Sequence, residues 1–119
     1  MATGLVWHLL ARRALLSAAF TGILAMAANA PAQGAPREVT VRMANMSYGR
    51  IPADLKVGDT IVWVNGDTVP HSVTARDKSF DLRLQPKQSA KLKLSKAGTI
   101  QIICTFHPTM RGALKVAAR

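Results

Sequence analysis

Cys104, His107 and Met110 fall in a C-x-x-H-x-x-M run that follows an apolar stretch and ends two residues before Gly112. A thiolate, an imidazole and a thioether on one short loop offer three kinds of donor to a single ion. Soft sulfur favours Cu(I) and imidazole serves both Cu(I) and Cu(II), so the set suits copper and excludes oxygen-seeking calcium and magnesium. His71 is the fourth candidate, 33 residues before Cys104, after a Pro70 that helps to fix the direction of its loop. It meets the others only through tertiary folding. Together they make a His₂Cys set with a second sulfur at hand, the arrangement of electron-transferring copper sites. Taken singly, a histidine reads as a surface or hydrogen-bonded residue and a buried cysteine as a small hydrophobe. The combination points to a site, because after His8 the chain has only these two histidines and only this cysteine. Met43 and Met46 read as packing residues rather than a second methionine site.

The surrounding chain narrows the setting. Arg12 and Arg13 precede an uncharged, mostly apolar run from Ala14 to Ala28, and Ala28-Asn29-Ala30 has the small-x-small pattern of a cleavage site. Residues 1–30 are therefore expected to be a cleaved signal peptide, and the protein to be exported to the periplasm. The run falls short of the roughly 20 apolar residues that span a bilayer, so no stable membrane span is expected. With a single cysteine the chain forms no intramolecular disulfide. A lone thiol in an oxidising compartment must be buried, reactive by design, or bound to metal. Sixteen Lys+Arg against six Asp+Glu give a net charge of +10, which favours acidic partners. Nucleic acid is not the expected partner, since the chain has no recognition helix or aromatic-rich binding motif and carries an export signal.

These residues need a rigid frame. After a Pro/Ala/Gly-rich linker at 31–36, residues 37–119 read as one domain of short β-type runs separated by turn residues. The predicted strands are Glu38–Met43, Thr60–Asn65, His71–Arg76, Phe80–Leu84, Ser89–Leu94, Thr99–Cys104 and Ala113–Ala117. Seven or eight such strands, with no convincing amphipathic helix, predict an all-β fold, a Greek-key two-sheet β-sandwich. Its stiff strands gather their loops at two poles, where residues distant in sequence can be held in fixed geometry.

Val57-Gly58-Asp59-Thr60-Ile61-Val62-Trp63-Val64-Asn65 with Pro70-His71, and Cys104-Thr105-Phe106-His107-Pro108-Thr109-Met110-Arg111-Gly112, resemble the plastocyanin/azurin family of cupredoxins. The two-residue gap between His107 and Met110 makes the amicyanin branch the nearest. The resemblance implies one type 1 copper ion, with His71, Cys104 and His107 as equatorial ligands and Met110 as the weak axial one. It further implies a one-electron carrier, not an enzyme, whose partners are redox proteins such as an amine dehydrogenase and a c-type cytochrome. A monomer is expected. An apolar patch of Pro70, Phe106, Pro108 and Met110 would surround the edge of His107, with Lys87, Lys91, Lys93, Lys96 and Arg111 steering an acidic partner. Two positions depart from the family pattern. Ser72 stands where an asparagine usually ties the two ligand loops together, which predicts a looser tie, and Phe106 replaces the usual proline before the loop histidine. The alternative is a copper-delivery or storage protein using the same ligands, which would exchange its metal readily. A Cys–His thiol enzyme is disfavoured, because a domain this small hardly accommodates a substrate cleft.

Overall fold

The computed structural model describes residues 34–119, so the expected signal peptide and residues 31–33 lie outside the described residues. Eight strands occur among them: β1 (Glu38–Met43), β2 (Leu55–Lys56), β3 (Thr60–Asn65), β4 (His71–Ala75), β5 (Asp81–Leu84), β6 (Ser89–Lys93), β7 (Gly98–Ile103) and β8 (Arg111–Ala117). The period-two pattern expected of half-buried strands is plain in β1, where Val41 and Met43 point inward while Thr40 and Arg42 face solvent. In β3 the buried positions are Ile61, Trp63 and Asn65. β4 departs from this rule: His71, Ser72 and Val73 are buried in succession, because this strand is covered on both faces where it enters the pole.

One sheet has three strands in the order β1-β3-β6 and the other five in the order β2-β8-β7-β4-β5. β1 runs parallel to β3, from Glu38↔Thr60 to Met43↔Asn65, and β6 lies antiparallel on the other side of β3. In the larger sheet β4 lies between β5 and β7, and β7 pairs with β8 from Gly98↔Val116 to Ile103↔Arg111. Neighbours in space are mostly not neighbours in sequence, which makes this a Greek-key sandwich. The sequence reading omits only β2, a two-residue strand parallel to β8.

The two inner faces close on Met43, Ile61 and Trp63 from one sheet and Leu55, Val73, Ile102 and Leu114 from the other, all at most 1% exposed. Each such large side chain contributes about 1.5–3 kcal/mol by leaving water. Tyr48 meets Trp63 edge-on, with ring centroids 5.6 Å apart. Trp63 Nε1 is buried with no hydrogen-bond partner among the described residues.

Strand direction assembles the two poles. β3 ends at Asn65, β4 begins at His71, β7 leads into Cys104 and β8 begins at Arg111, so residues 66–70 and 104–110 share one end. At the other end Gly58, with φ of 94°, turns the chain before Asp59. The buried Asp59 carboxylate accepts the N–H groups of Arg37 (3.2 Å) and Lys56 (3.0 Å) and pairs with the Arg119 guanidinium at 2.6 Å.

Candidate metal centre

His71 is fully buried at the first position of β4, and its Nε2 lies 2.7 Å from Asp67 Oδ2. An ionised carboxylate only accepts, so Nε2–H donates to it and Nδ1 is the ring nitrogen turned toward His107 and Cys104. Asp67 is itself fixed, accepting the N–H groups of Asn45 at 2.8 Å and Met46 at 3.0 Å. The bond to His71 first, and the Met46 N–H next, hold its carboxyl down to about 2. Asn45 and Met46 both have positive φ, 53° and 59°, in a two-residue turn between Ala44 and Ser47. This is the backbone twist of a tight hairpin turn, which prefers glycine at the second position. Met46 tolerates it here with Asp67 capping the turn.

Cys104 is the first residue after β7 and is buried. Its Sγ lies 3.9 Å from His71 Nδ1 and 3.7 Å from His107 Nδ1, and the two nitrogens are 3.2 Å apart. A point equidistant from these three atoms lies about 2.1 Å from each, close to metal–nitrogen bond length. The donor set therefore fits a first-row transition ion in both chemistry and spacing. The Ser72 N–H donates to Cys104 Sγ at 3.3 Å.

The loop 104–110 folds back on itself. Met110 donates its N–H to the His107 carbonyl at 2.9 Å, and Cys104 donates its own to the Met110 carbonyl at 3.0 Å. These two bonds bring Met110 back beside Cys104 and bury its side chain, 2% exposed. Ser72 ties this loop to β4 in spite of its short reach: its Oγ accepts the Thr105 N–H at 2.8 Å and lies 3.1 Å from Thr105 Oγ1. The tie expected to be loose is made. Tyr48 Oη donates to the Ser72 carbonyl at 2.8 Å from below. Asn65 uses its amide on the carbonyls of Val69 and Leu84, which secures the loop before His71.

The surface around His107 differs from expectation in two places. Met110 is buried and belongs to no exposed patch, whereas Met46, expected as packing, is 43% exposed. Among the described residues the other exposed large hydrophobics are Val69 and Phe106, so all three flank the loops that carry the donors. Met43 does pack in the core. Of the expected cations, Lys87 reaches the Gly66 carbonyl and Arg111 the Pro108 carbonyl, so both stand at this pole. Lys91 pairs with Glu38, while Lys93 lies opposite Thr60, at the far end of the sandwich. Arg83, not anticipated from sequence, stacks over Phe106 at 5.6 Å. Asp67 was legible only as a turn residue, although an acidic group four positions before a buried histidine is the available signal.

A two-sheet sandwich that presents a buried cysteine sulfur and two imidazoles to one point at its pole is a small metal-binding protein of the blue-copper class. A family model described as "Cupredoxin-like domain" matches residues 15–116, and the chain belongs to that family. Its relatives include an amicyanin of Paracoccus denitrificans, 32% identical over 109 residues that cover 81% of this chain and 83% of that protein. Amicyanin-alpha of Methylorubrum extorquens is 32% identical over 83% of this chain and 91% of its own length. Among solved structures, the crystal structure of amicyanin from Paracoccus versutus superposes with a TM-score of 0.59 at 30% identity, covering 75% of this chain and 86% of that one. A Cu(I) form of an amicyanin mutant gives 0.57 at 31% identity, covering 73% of this chain and 87% of the other. The cofactor of this chain is copper.

Proposed function

We propose that the chain carries single electrons between soluble redox proteins of the periplasm, holding one type 1 copper ion through His71, Cys104, His107 and Met110. The observation that carries this reading is the convergence of His71 Nδ1, His107 Nδ1 and Cys104 Sγ, three electron-pair donors within 3.9 Å of one another at the end of a rigid sandwich. Copper supplies a one-electron couple between two oxidation states that this donor set accepts. The protein's part is to keep the donors still. Asp67 fixes the His71 ring with Nδ1 turned toward the other donors, Ser72 N–H donates to Cys104 Sγ, and the backbone bonds that close 104–110 bring Met110, the expected fourth ligand, back beside Cys104. His107, partly exposed among Phe106, Val69 and Met46, is the one donor open to a partner's surface.

Residues 1–30 act as the export signal and 37–119 as the copper domain. Lys87, Arg83 and Arg111 around an apolar centre fit an acidic partner, for which a c-type cytochrome as acceptor and an amine dehydrogenase as donor are the first to try. Retention of the metal distinguishes carriage of electrons from delivery of copper. The copper-loaded protein should bleach with dithionite, recover its colour with ferricyanide over repeated cycles, and keep its copper against a colorimetric Cu(I) chelator in the reduced state. Transfer of the copper to the chelator within one cycle would instead show a delivery protein.

A further inference from the structure

Ser72 and Phe106 are joined by a polar chain that runs through β5. Thr74 Oγ1 donates to Asp81 Oδ1 at 2.7 Å, which uses the only proton on that hydroxyl. The 2.9 Å contact between Ser72 Oγ and Thr74 Oγ1 must then have Ser72 as donor and Thr74 as acceptor. Ser72 has no second proton, so in its 3.1 Å contact with Thr105 Oγ1 it accepts, as it also accepts the Thr105 N–H at 2.8 Å. All proton positions along the chain are thereby set from one end: Thr105 to Ser72 to Thr74 to Asp81. The end is an acceptor with no proton to give. The second oxygen of Asp81 accepts Arg83 Nε at 3.0 Å, and Arg83 lies over the Phe106 ring.

We propose that Asp81 is a positioning residue for the copper centre: through Thr74 and Ser72 it orients the hydroxyls that hold Thr105, and through Arg83 it holds the ring of Phe106. Both grips fall on the two residues between Cys104 and His107. Ser72 bridges the ligand loops through its single hydroxyl, and Thr74 and Asp81 anchor that hydroxyl to β5. The backbone of Ser72, whose N–H faces Cys104 Sγ, is part of the same unit, so a change in the chain reaches the sulfur without touching a ligand. Asp81 itself contacts none of the three donors.

The influence on copper rests on the carrier reading; the hydroxyl chain does not. The test uses the full chain with Thr74→Val, which removes the relay hydroxyl at constant shape, Thr74→Ser, which restores it, and Asp81→Ala. Amide exchange is followed by NMR on the diamagnetic Cu(I) protein and again without metal. Thr74→Val and Asp81→Ala should each speed exchange of the Thr105 N–H about three- to tenfold relative to Leu114, and Thr74→Ser should stay within about twofold of wild type. In the Cu(II) protein the sulfur-to-copper absorption band should move in the first two variants and return in the third. Unchanged Thr105 exchange in Thr74→Val, or equal acceleration in Thr74→Ser, would overturn the proposal. If Asp81→Ala fails to fold, the valine and serine pair decides alone. A wild-type protein without the copper band but with Thr105 responding as described would sink the carrier reading and leave the hydroxyl chain standing.

Discussion

The two poles of the sandwich each bury polar groups, and they solve the problem in opposite ways. At the Asp59 end a single carboxylate is surrounded by donors: two backbone N–H groups and the guanidinium of Arg119, the last residue of the chain. Every interaction there pairs an acceptor with a donor, and the cluster is complete as it stands. At the His71 end the arrangement is inverted. Asp67 takes the Nε2–H of His71, and the other ring nitrogen faces a second imidazole nitrogen and a sulfur, three atoms with lone pairs around one point. Their spacing suits an ion. The first pole holds the fold together; the second is assembled by the fold at a cost that metal binding recovers.

The largest expected effect follows from that inversion. Loading with copper should raise the free energy of unfolding by about 4 kcal/mol or more, as for any ligand present at a thousandfold over its dissociation constant, read by guanidinium titration with and without metal. His107→Ala should abolish the gain. Asp59→Ala should cost about 2–3 kcal/mol, because it strands buried donors, while leaving the copper spectrum as in wild type. A variant that unsettled the spectrum as much as the fold would show that the poles are not independent.

Acid should act on the Asp59 end next. Burial opposes its charge, but the N–H groups of Lys56 and Arg37 and the guanidinium of Arg119 prevail and lower its pKa. A carboxyl depressed in the folded state contributes stability above its unfolded value near about 3.9, and the contribution is lost as pH falls through the lowered folded value. Metal-free Asp59→Asn should therefore show a flatter loss of stability than wild type below about pH 4, followed by circular dichroism in denaturant. The smallest effect is expected at Met46, held at positive φ beside the metal pole. Met46→Gly should gain about 1 kcal/mol by relieving that conformation, and should slow reduction by a protein partner if the exposed thioether is part of the contact.

The same contrast explains what was legible in the sequence. Cys104, His107 and Met110 share one loop, so their spacing is a local property, and His71 stood out because histidine is scarce. The main strands follow from alternation in runs such as Thr60–Asn65, while Leu55–Lys56 is too short to alternate and exists only because β8 pairs with it. Asp67 reads as a turn former because nothing nearby in sequence shows that Met46 and His71 converge on it. The Asp81 anchor depends on the exact register of the β4–β5 hairpin, Thr74↔Asp81, and Arg83 over Phe106 on the 104–110 loop lying beside β5, neither of which the strand pattern fixes. Met46 and Met110 exchanged their expected places for the same reason: hydrophobicity alone does not say which side of a loop a methionine occupies.

The central claim is that Cys104 Sγ and the Nδ1 atoms of His71 and His107 hold one copper ion in a type 1 site. Visible absorption and electron paramagnetic resonance of the Cu(II)-loaded protein, recorded beside Cys104→Ser, test it most directly. An intense blue band with narrow copper hyperfine splitting, absent from the serine variant, is the predicted result. A colourless or ordinary Cu(II) spectrum in the wild-type protein, or the same spectrum in both, would contradict it.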